Sequence, residues 1–190
     1  MKLIRGVGFN SGGKYKAREC GKDTEAYRYW YNMMQRCYNP KYHDTQPTYV
    51  GCSVTTEWHD YQVFAEWFYN NKYRNNGYHL DKDILVPNNK VYSPDTCCFV
   101  PSELNTLCNS YSNARGEHPQ GVYWNKIAEK YLSRIRIHGK HKHLGYFDCP
   151  KEAHQAYVVA KEAHVKVMAN LWFGNIDPKV YCALMDWRVR

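Results

Sequence analysis

The chain has no apolar run near the ~18 residues that a membrane-spanning helix requires. Its start, MKLIRGVGFNSGGKYK, is polar and Gly-containing, with no apolar stretch of leader length. Neither a membrane partner nor a secretory route is expected, so the expected location is the cytoplasm. No CxxC pair occurs among the eight cysteines, which stand at Cys20, Cys37, Cys52, Cys97, Cys98, Cys108, Cys149 and Cys182. Without a secretory segment they read as reduced and mostly buried thiols rather than a disulfide framework. Acidic side chains are in deficit, 18 Asp and Glu against 26 Lys and Arg, for a formal net charge of +8. That balance favours polyanionic partners, nucleic acid first among them, through long-range attraction and counterion release.

Aromatic residues are abundant. Eighteen Tyr and six Trp exclude a disordered chain and call for a core of large rings whose polar tips need partners. The first 23 or so residues are Gly- and Lys-rich and show no periodicity, as expected of a basic arm or an irregular lead-in over 1–24. From Thr24 the pattern becomes helical, with Trp30, Met33, Met34 and Cys37 on one face until Asn39-Pro40 stops it. YVGCSV (49–54) reads as a short strand. Thr56 and Glu57 read as the start of a second helix, with Trp58, Tyr61, Phe64, Ala65 and Phe68 as its apolar stripe. In the segment 78–108, the apolar runs Ile84–Val86 and Cys97–Val100 flank a turn, and Pro101-Ser102 opens a short helix.

After a Ser/Asn/Gly linker, SNARGEHPQG, a second module begins. GVYWNK, KYLSRIRI and KHLGYF read as three antiparallel strands joined by short turns, the last at Gly139. Strand alternation places Leu132, Arg134, Arg136 and His138 on one face and Ser133, Ile135 and Ile137 on the other. Pro150 then starts a helix whose Ala153, Ala156, Tyr157, Ala160 and Val167 recur at helical spacing and suit the apolar face. A bare basic face on a twisted antiparallel ribbon fits the DNA major groove. The alternatives are a merely solvated strand face, or a metal site of His138, His141 and His143, which lacks a fourth ligand.

At these residues a family likeness enters. GVY, KYLSRIRIHGKHKHLGYF and the acidic, Ala-rich helix opening resemble an AP2/ERF-type DNA-binding domain over roughly 113–170. The resemblance implies that the sheet reads base edges of double-stranded DNA, with Tyr123, Asn125, Arg134, Arg136, His141 and His143 at the reading positions. Lys126, Lys140 and Lys142 would serve phosphates. Tyr and Asn stand where the plant-type first strand carries arginines, and His where its third strand carries Arg and Trp, so no sequence preference transfers.

The earlier stretch, WYNMMQRCYNP through LDKDIL and YSPDTCCFVP, resembles the phage-type HNH endonucleases over about 25–108. That likeness implies a strand–loop–strand–helix site around Mg²⁺ or Mn²⁺, which would stabilise the leaving oxygen while a neighbouring base activates water. Asp81 matches the first metal ligand, Asn105 the last residue of the signature, and Asn88 or Asn89 the loop Asn. Lys82 occupies the usual place of the base, Thr96 replaces an Asn, and the loop is longer than the pattern. His79, two residues before Asp81 and on the same strand face, is the candidate replacement base, and Asp83 is a further oxygen ligand in a His-x-Asp-x-Asp row. A structural zinc is not expected, because Cys37, His43, Cys52 and Cys97 include no pair at ligand spacing.

The expected architecture is thus α+β: an N-terminal arm (1–24), an HNH-like ββα module with flanking helices (25–111), a three-stranded antiparallel sheet on one helix (112–172), and a tail (173–190). The tail's Val180, Leu184 and Trp187 suggest a docked helix. The leading functional expectation is a phage-type, homing-like endonuclease or nickase that binds specific duplex DNA, acting in the cytoplasm of an infected bacterial host. The competing one is a catalytically inactive DNA-binding regulator or antagonist of host processes. A third, an RNA-binding module, is kept open by the many tyrosines.

Overall fold

The computed structural model describes residues 3–109 and 117–189 and is an α+β structure. Two compact units divide between residues 102 and 103. The expected boundary between 111 and 112 lies outside the described residues, as does part of the linker before Gly121. Among the described residues no helix is long and apolar enough to cross a membrane.

The first unit is built around α1 (Glu25–Tyr38) and α3 (Tyr61–Asn70). The Thr24 side chain caps α1 by accepting from the Tyr27 amide, and the helix buries Ala26, Trp30, Met33, Met34 and Cys37, the stripe expected from their spacing. Asn39 ends it, and Pro40 opens the short α2 (Pro40–Thr45). Trp58, Tyr61, Phe64, Ala65 and Phe68 are all fully buried against α1. Trp58 meets Phe64 and Trp67 at ring separations of 5.0 and 4.7 Å, and the Trp30 indole donates to the Trp58 carbonyl at 2.7 Å.

The helix expected from Thr56 begins instead at Tyr61, after a single tight turn at Thr56–His59. The N-terminal segment is the reason. The Phe9 amide donates to the His59 carbonyl and the Phe9 carbonyl accepts from the Tyr61 amide, both at 2.8 Å. This pairing holds His59–Tyr61 extended, so Asp60 becomes the cap of α3, accepting from Gln62 N. Gln62 in turn bonds Asn10 and Tyr15, and Tyr15 stacks on Tyr69 at 5.3 Å. The lead-in therefore lies along α3. Its two short strands, β1 (Arg18–Glu19) and β2 (Lys22–Asp23), form a small hairpin before α1.

β3 (Ser53–Val54) pairs in parallel with β5 (Val91–Tyr92), and β4 (Tyr78–Asp81) pairs antiparallel with β6 (Cys98–Pro101). The run Ile84–Val86 is not a strand, contrary to its apolar pattern. Asp81 accepts from the amides of Asp83 and Ile84, each at 2.7 Å, and this turns the chain out of β4. Ile84 then serves as a core residue of the bend while Val86 is exposed.

In the second unit α4 (Ser102–Cys108) is followed by β7 (Val122–Asn125), β8 (Lys130–Ile137), β9 (Lys140–Phe147), α5 (Pro150–Leu171) and α6 (Pro178–Met185). The three strands form one antiparallel sheet in sequence order, and α5 packs on all of them. Ala153 and Tyr157 face the sheet. Further along the helix the buried residues are Val165, Met168 and Ala169, while Val167 is exposed. Val180, Leu184 and Trp187 are buried, so the tail is a docked helix as its spacing implied. Glu103 Oε1 accepts from the Trp172 indole at 2.6 Å, joining α4 to the end of α5.

Gly121 enters β7 at φ 83°, and a β-carbon there would lie 2.1 Å from the Tyr157 ring. Gly139, in the two-residue turn between β8 and β9, has φ 77° but open space around it, and His138 beside it has φ 47°, the sign pattern of a type I′ hairpin turn. Gly139→Ala is expected to cost about 1–2 kcal/mol for left-handed backbone alone, and Gly121→Ala more, because Tyr157 must also move. Urea denaturation of the two variants checks this, and equal costs contradict it.

Candidate nucleic-acid interface

Register decides what the sheet shows to solvent. β8 pairs with β7 as Val122↔Ser133, Tyr123↔Leu132 and Trp124↔Tyr131. With β9 it pairs as Leu132↔Tyr146 and Ser133↔Gly145, then Arg134↔His143, Ile135↔Lys142, Arg136↔His141 and Ile137↔Lys140, with a register shift at Ser133/Arg134. Leu144 is the extra residue of a β-bulge, and Gly145 beside it has φ 146°. Paired residues share a face. One face therefore carries Val122, Ser133 and Ile135, all buried beneath α5. The other carries Tyr123, Leu132 and Tyr146, then Arg134 with His143, then Arg136 with His141.

The bare face is preorganised. The Arg134 guanidinium lies over the Tyr123 ring at 3.9 Å, and its Nε is buried without a hydrogen-bond partner. Arg136 Nε donates to the Gly139 carbonyl at 3.1 Å, which fixes that guanidinium by its inner edge. His143 meets Tyr146 at 4.8 Å, and Asn125 Nδ2 donates to the Tyr146 hydroxyl at 3.3 Å. The six residues expected at reading positions, Tyr123, Asn125, Arg134, Arg136, His141 and His143, thus belong to one sheet, and the register, with Asn125 opposite Lys130, puts all six on its uncovered face. Asn125, at the end of β7, is joined to them through Tyr146.

One placement differs from the alternation argument. His138 does not continue the Arg row, because it is a turn residue whose ring meets His164 of α5 at 5.8 Å. Lys140 and Lys142 are exposed, but the two-residue turn registers them with Ile137 and Ile135, on the α5 side of the edge strand rather than beside the arginines. Lys126 is exposed in the β7–β8 turn. The sequence signal for the bulge is slight: Leu144-Gly145, with Gly able to take the required backbone.

The second candidate site, in the first unit, is arranged differently from expectation. β4 ends at Asp81, so the His79, Asp81 and Asp83 row does not form on one strand face. His79 is exposed opposite Val100, and Asp81 is buried opposite Cys98. Burial holds the Asp81 carboxyl above its ordinary range, against the pull of the Ile84 and Asp83 amides. Lys82, with 7% of its side chain exposed, points its ammonium at both Asp83 oxygens (2.8 and 2.7 Å) and the Asn89 carbonyl (2.7 Å). Asn89 returns its amide to the Lys82 and Val91 carbonyls, at 3.0 and 2.6 Å, and Asn88 has φ 60°. The loop is thus closed by an internal ammonium. Asn105 lies on α4, in the second unit.

Asp81 Oδ1 takes two amides, and the Asp83 carboxylate holds Lys82. Among the described residues no group of three or more His, Cys, Asp or Glu could hold a metal ion. Of the four residues weighed for zinc, His43 Nε2 bonds the Arg36 carbonyl at 2.8 Å, and burial pushes the Cys37 and Cys97 thiols up to about 12.

Compared with known proteins, the chain matches no family model, no curated protein and no solved structure. The likeness of its two segments to HNH and AP2 modules rests on the residues quoted above.

Asp81 carries a prediction for stability. A carboxyl whose folded value is raised contributes most below its unfolded value of ~3.9, and that contribution is lost as pH rises through the folded value. Asn at 81 can accept the same two amides without a buried charge. Asp81→Asn is therefore expected to raise stability at pH 7 by about 1–3 kcal/mol, with the gain vanishing below pH ~3.9. Denaturant midpoints at the two pH values check it, and a loss of stability at pH 7 contradicts it.

Proposed function

We propose that the protein binds double-stranded DNA sequence-specifically through the uncovered face of β7–β9, as an AP2-like sheet lying in the major groove. The observation that carries this reading is the row Arg134–His143 and Arg136–His141 beside Tyr123 and Tyr146 on a face that α5 leaves bare. A two- or three-stranded ribbon has the width of the groove. Guanidinium groups held over a ring, as at Arg134, or by Nε, as at Arg136, present their outer amino groups to the O6 and N7 acceptors of guanine, worth about 1–3 kcal/mol of discrimination each. The net charge of +8 supplies the sequence-independent attraction.

For the first unit the reading favoured is an HNH-like scaffold without chemistry, which makes the whole chain a DNA-binding regulator or antagonist of host processes. Its support is the Lys82 ammonium clamped between Asp83 and the Asn89 carbonyl, and Asp81 engaged by two amides. The endonuclease or nickase reading has in its favour the order β4, loop, β6, α4, with Asp81 ending the first strand. Supercoiled plasmid incubated with the protein and Mg²⁺ or Mn²⁺ separates the two. The scaffold reading expects bound but intact plasmid, and metal-dependent nicking lost in Asp81→Ala overturns it. RNA binding would appear in the same titrations as a preference for single strands.

The binding reading makes its own prediction. Duplex affinity falls steeply with salt, with a log–log slope of several. Arg136→Ala relaxes sequence preference, whereas Lys142→Ala, on the other side of the edge strand, weakens binding to all sequences alike. Competition between selected and scrambled duplexes measures both, and equal, sequence-blind losses contradict groove reading.

A further inference from the structure

The β7–β8 turn displays an unusual side chain. Ile127 is 98% exposed, the most exposed of the large apolar residues among those described. A solvated turn of Asn, Lys and Glu gains nothing by it. The turn is nevertheless rigidly built. Asn125 Oδ1 accepts from the amides of Ile127 and Ala128, at 3.0 and 2.9 Å, and Glu129 closes the loop at φ 49°. The same Asn125 side chain donates to the Tyr146 hydroxyl on the bare face. Ile127 is thus held out at a fixed place relative to the Arg134 and Tyr123 pair, with Lys126 exposed next to it.

We propose that Ile127 is an apolar base reader that contacts thymine 5-methyl groups in the major groove, beyond the row of arginines; this rests on the duplex-binding reading above. In the major groove the thymine methyl is the only apolar group that a base pair offers. An isoleucine kept in water when free and placed against that methyl when bound gains what burial of one methyl supplies. Lys126 meets the flanking phosphate, so the turn combines one neutralised charge with one apolar contact. Arg134 and Arg136 cannot make this distinction, since their donors read acceptors.

The test uses the full chain and a duplex enriched by it from a random pool, resynthesised with each thymine in turn replaced by uracil. Uracil removes the methyl and leaves every hydrogen-bonding group in place. At one or two positions the wild-type protein is expected to lose about fourfold in affinity, the worth of one buried methyl. Ile127→Ser, which costs no packing because the side chain is solvated, is expected to lose the thymine preference while binding the uracil duplex like wild type. Ile127→Val retains the preference. If uracil is neutral at every position, or if its effect persists in Ile127→Ser, the inference is overturned while duplex binding stands. If no duplex is enriched from the pool, the binding reading falls and takes the inference with it.

Discussion

Everything in the second unit depends on β8 having one buried face and one bare one. Ser133 and Ile135 are taken up by α5, so side-chain alternation leaves Arg134 and Arg136 no choice of direction. A slip of one residue would bury two guanidinium groups against an apolar helix, at a cost no domain of this size could bear. Gly121 enforces the same register from the neighbouring strand, since only a residue without a side chain can pass the Tyr157 ring. The two-residue turn at His138-Gly139 then sets which residues of β9 stand beside the arginines, the histidines rather than the lysines, and the bulge at Leu144 brings Tyr146 onto the same face. Packing on one side therefore composes the chemistry of the other.

The first unit solves a different problem. Its core is aromatic, and the polar loop after β4 has to be closed over it. A buried ammonium between a carboxylate and a carbonyl does this. Such a bridge has a large desolvation cost, so it suits a loop that is being held still. The N-terminal segment is similarly a structural part of this unit, because its Phe9 backbone pairs with His59 and Tyr61 and sets where α3 begins.

How much was legible follows from the range of each interaction. The apolar stripes of α1 and α3, the docked tail helix, the three strands and the two faces of β8 are periodic signals of neighbouring residues, and the sequence carries them openly. The start of α3 was misplaced because it is set by hydrogen bonds to Phe9, some fifty residues away in the chain. The run Ile84–Val86 looked like a strand because nothing local reveals that Asp81 will use its carboxylate to turn the backbone. The proposed His79, Asp81 and Asp83 row failed for the same reason. His138 needed knowledge of the turn type, and Tyr146 needed the bulge, both of which depend on pairing across the hairpin. Ile127 carries no periodic signal at all and became visible only through its exposure.

The account's central claim is that the face bearing Tyr123, Leu132, Arg134, Arg136, His141 and His143 meets the duplex. Amide chemical-shift mapping of the isotopically labelled full chain, titrated with duplex DNA at low ionic strength, addresses it most directly. The account predicts that the largest changes fall on those residues and on the β7–β8 turn. Changes confined to residues before 103, or spectra that duplex DNA leaves untouched, would contradict it.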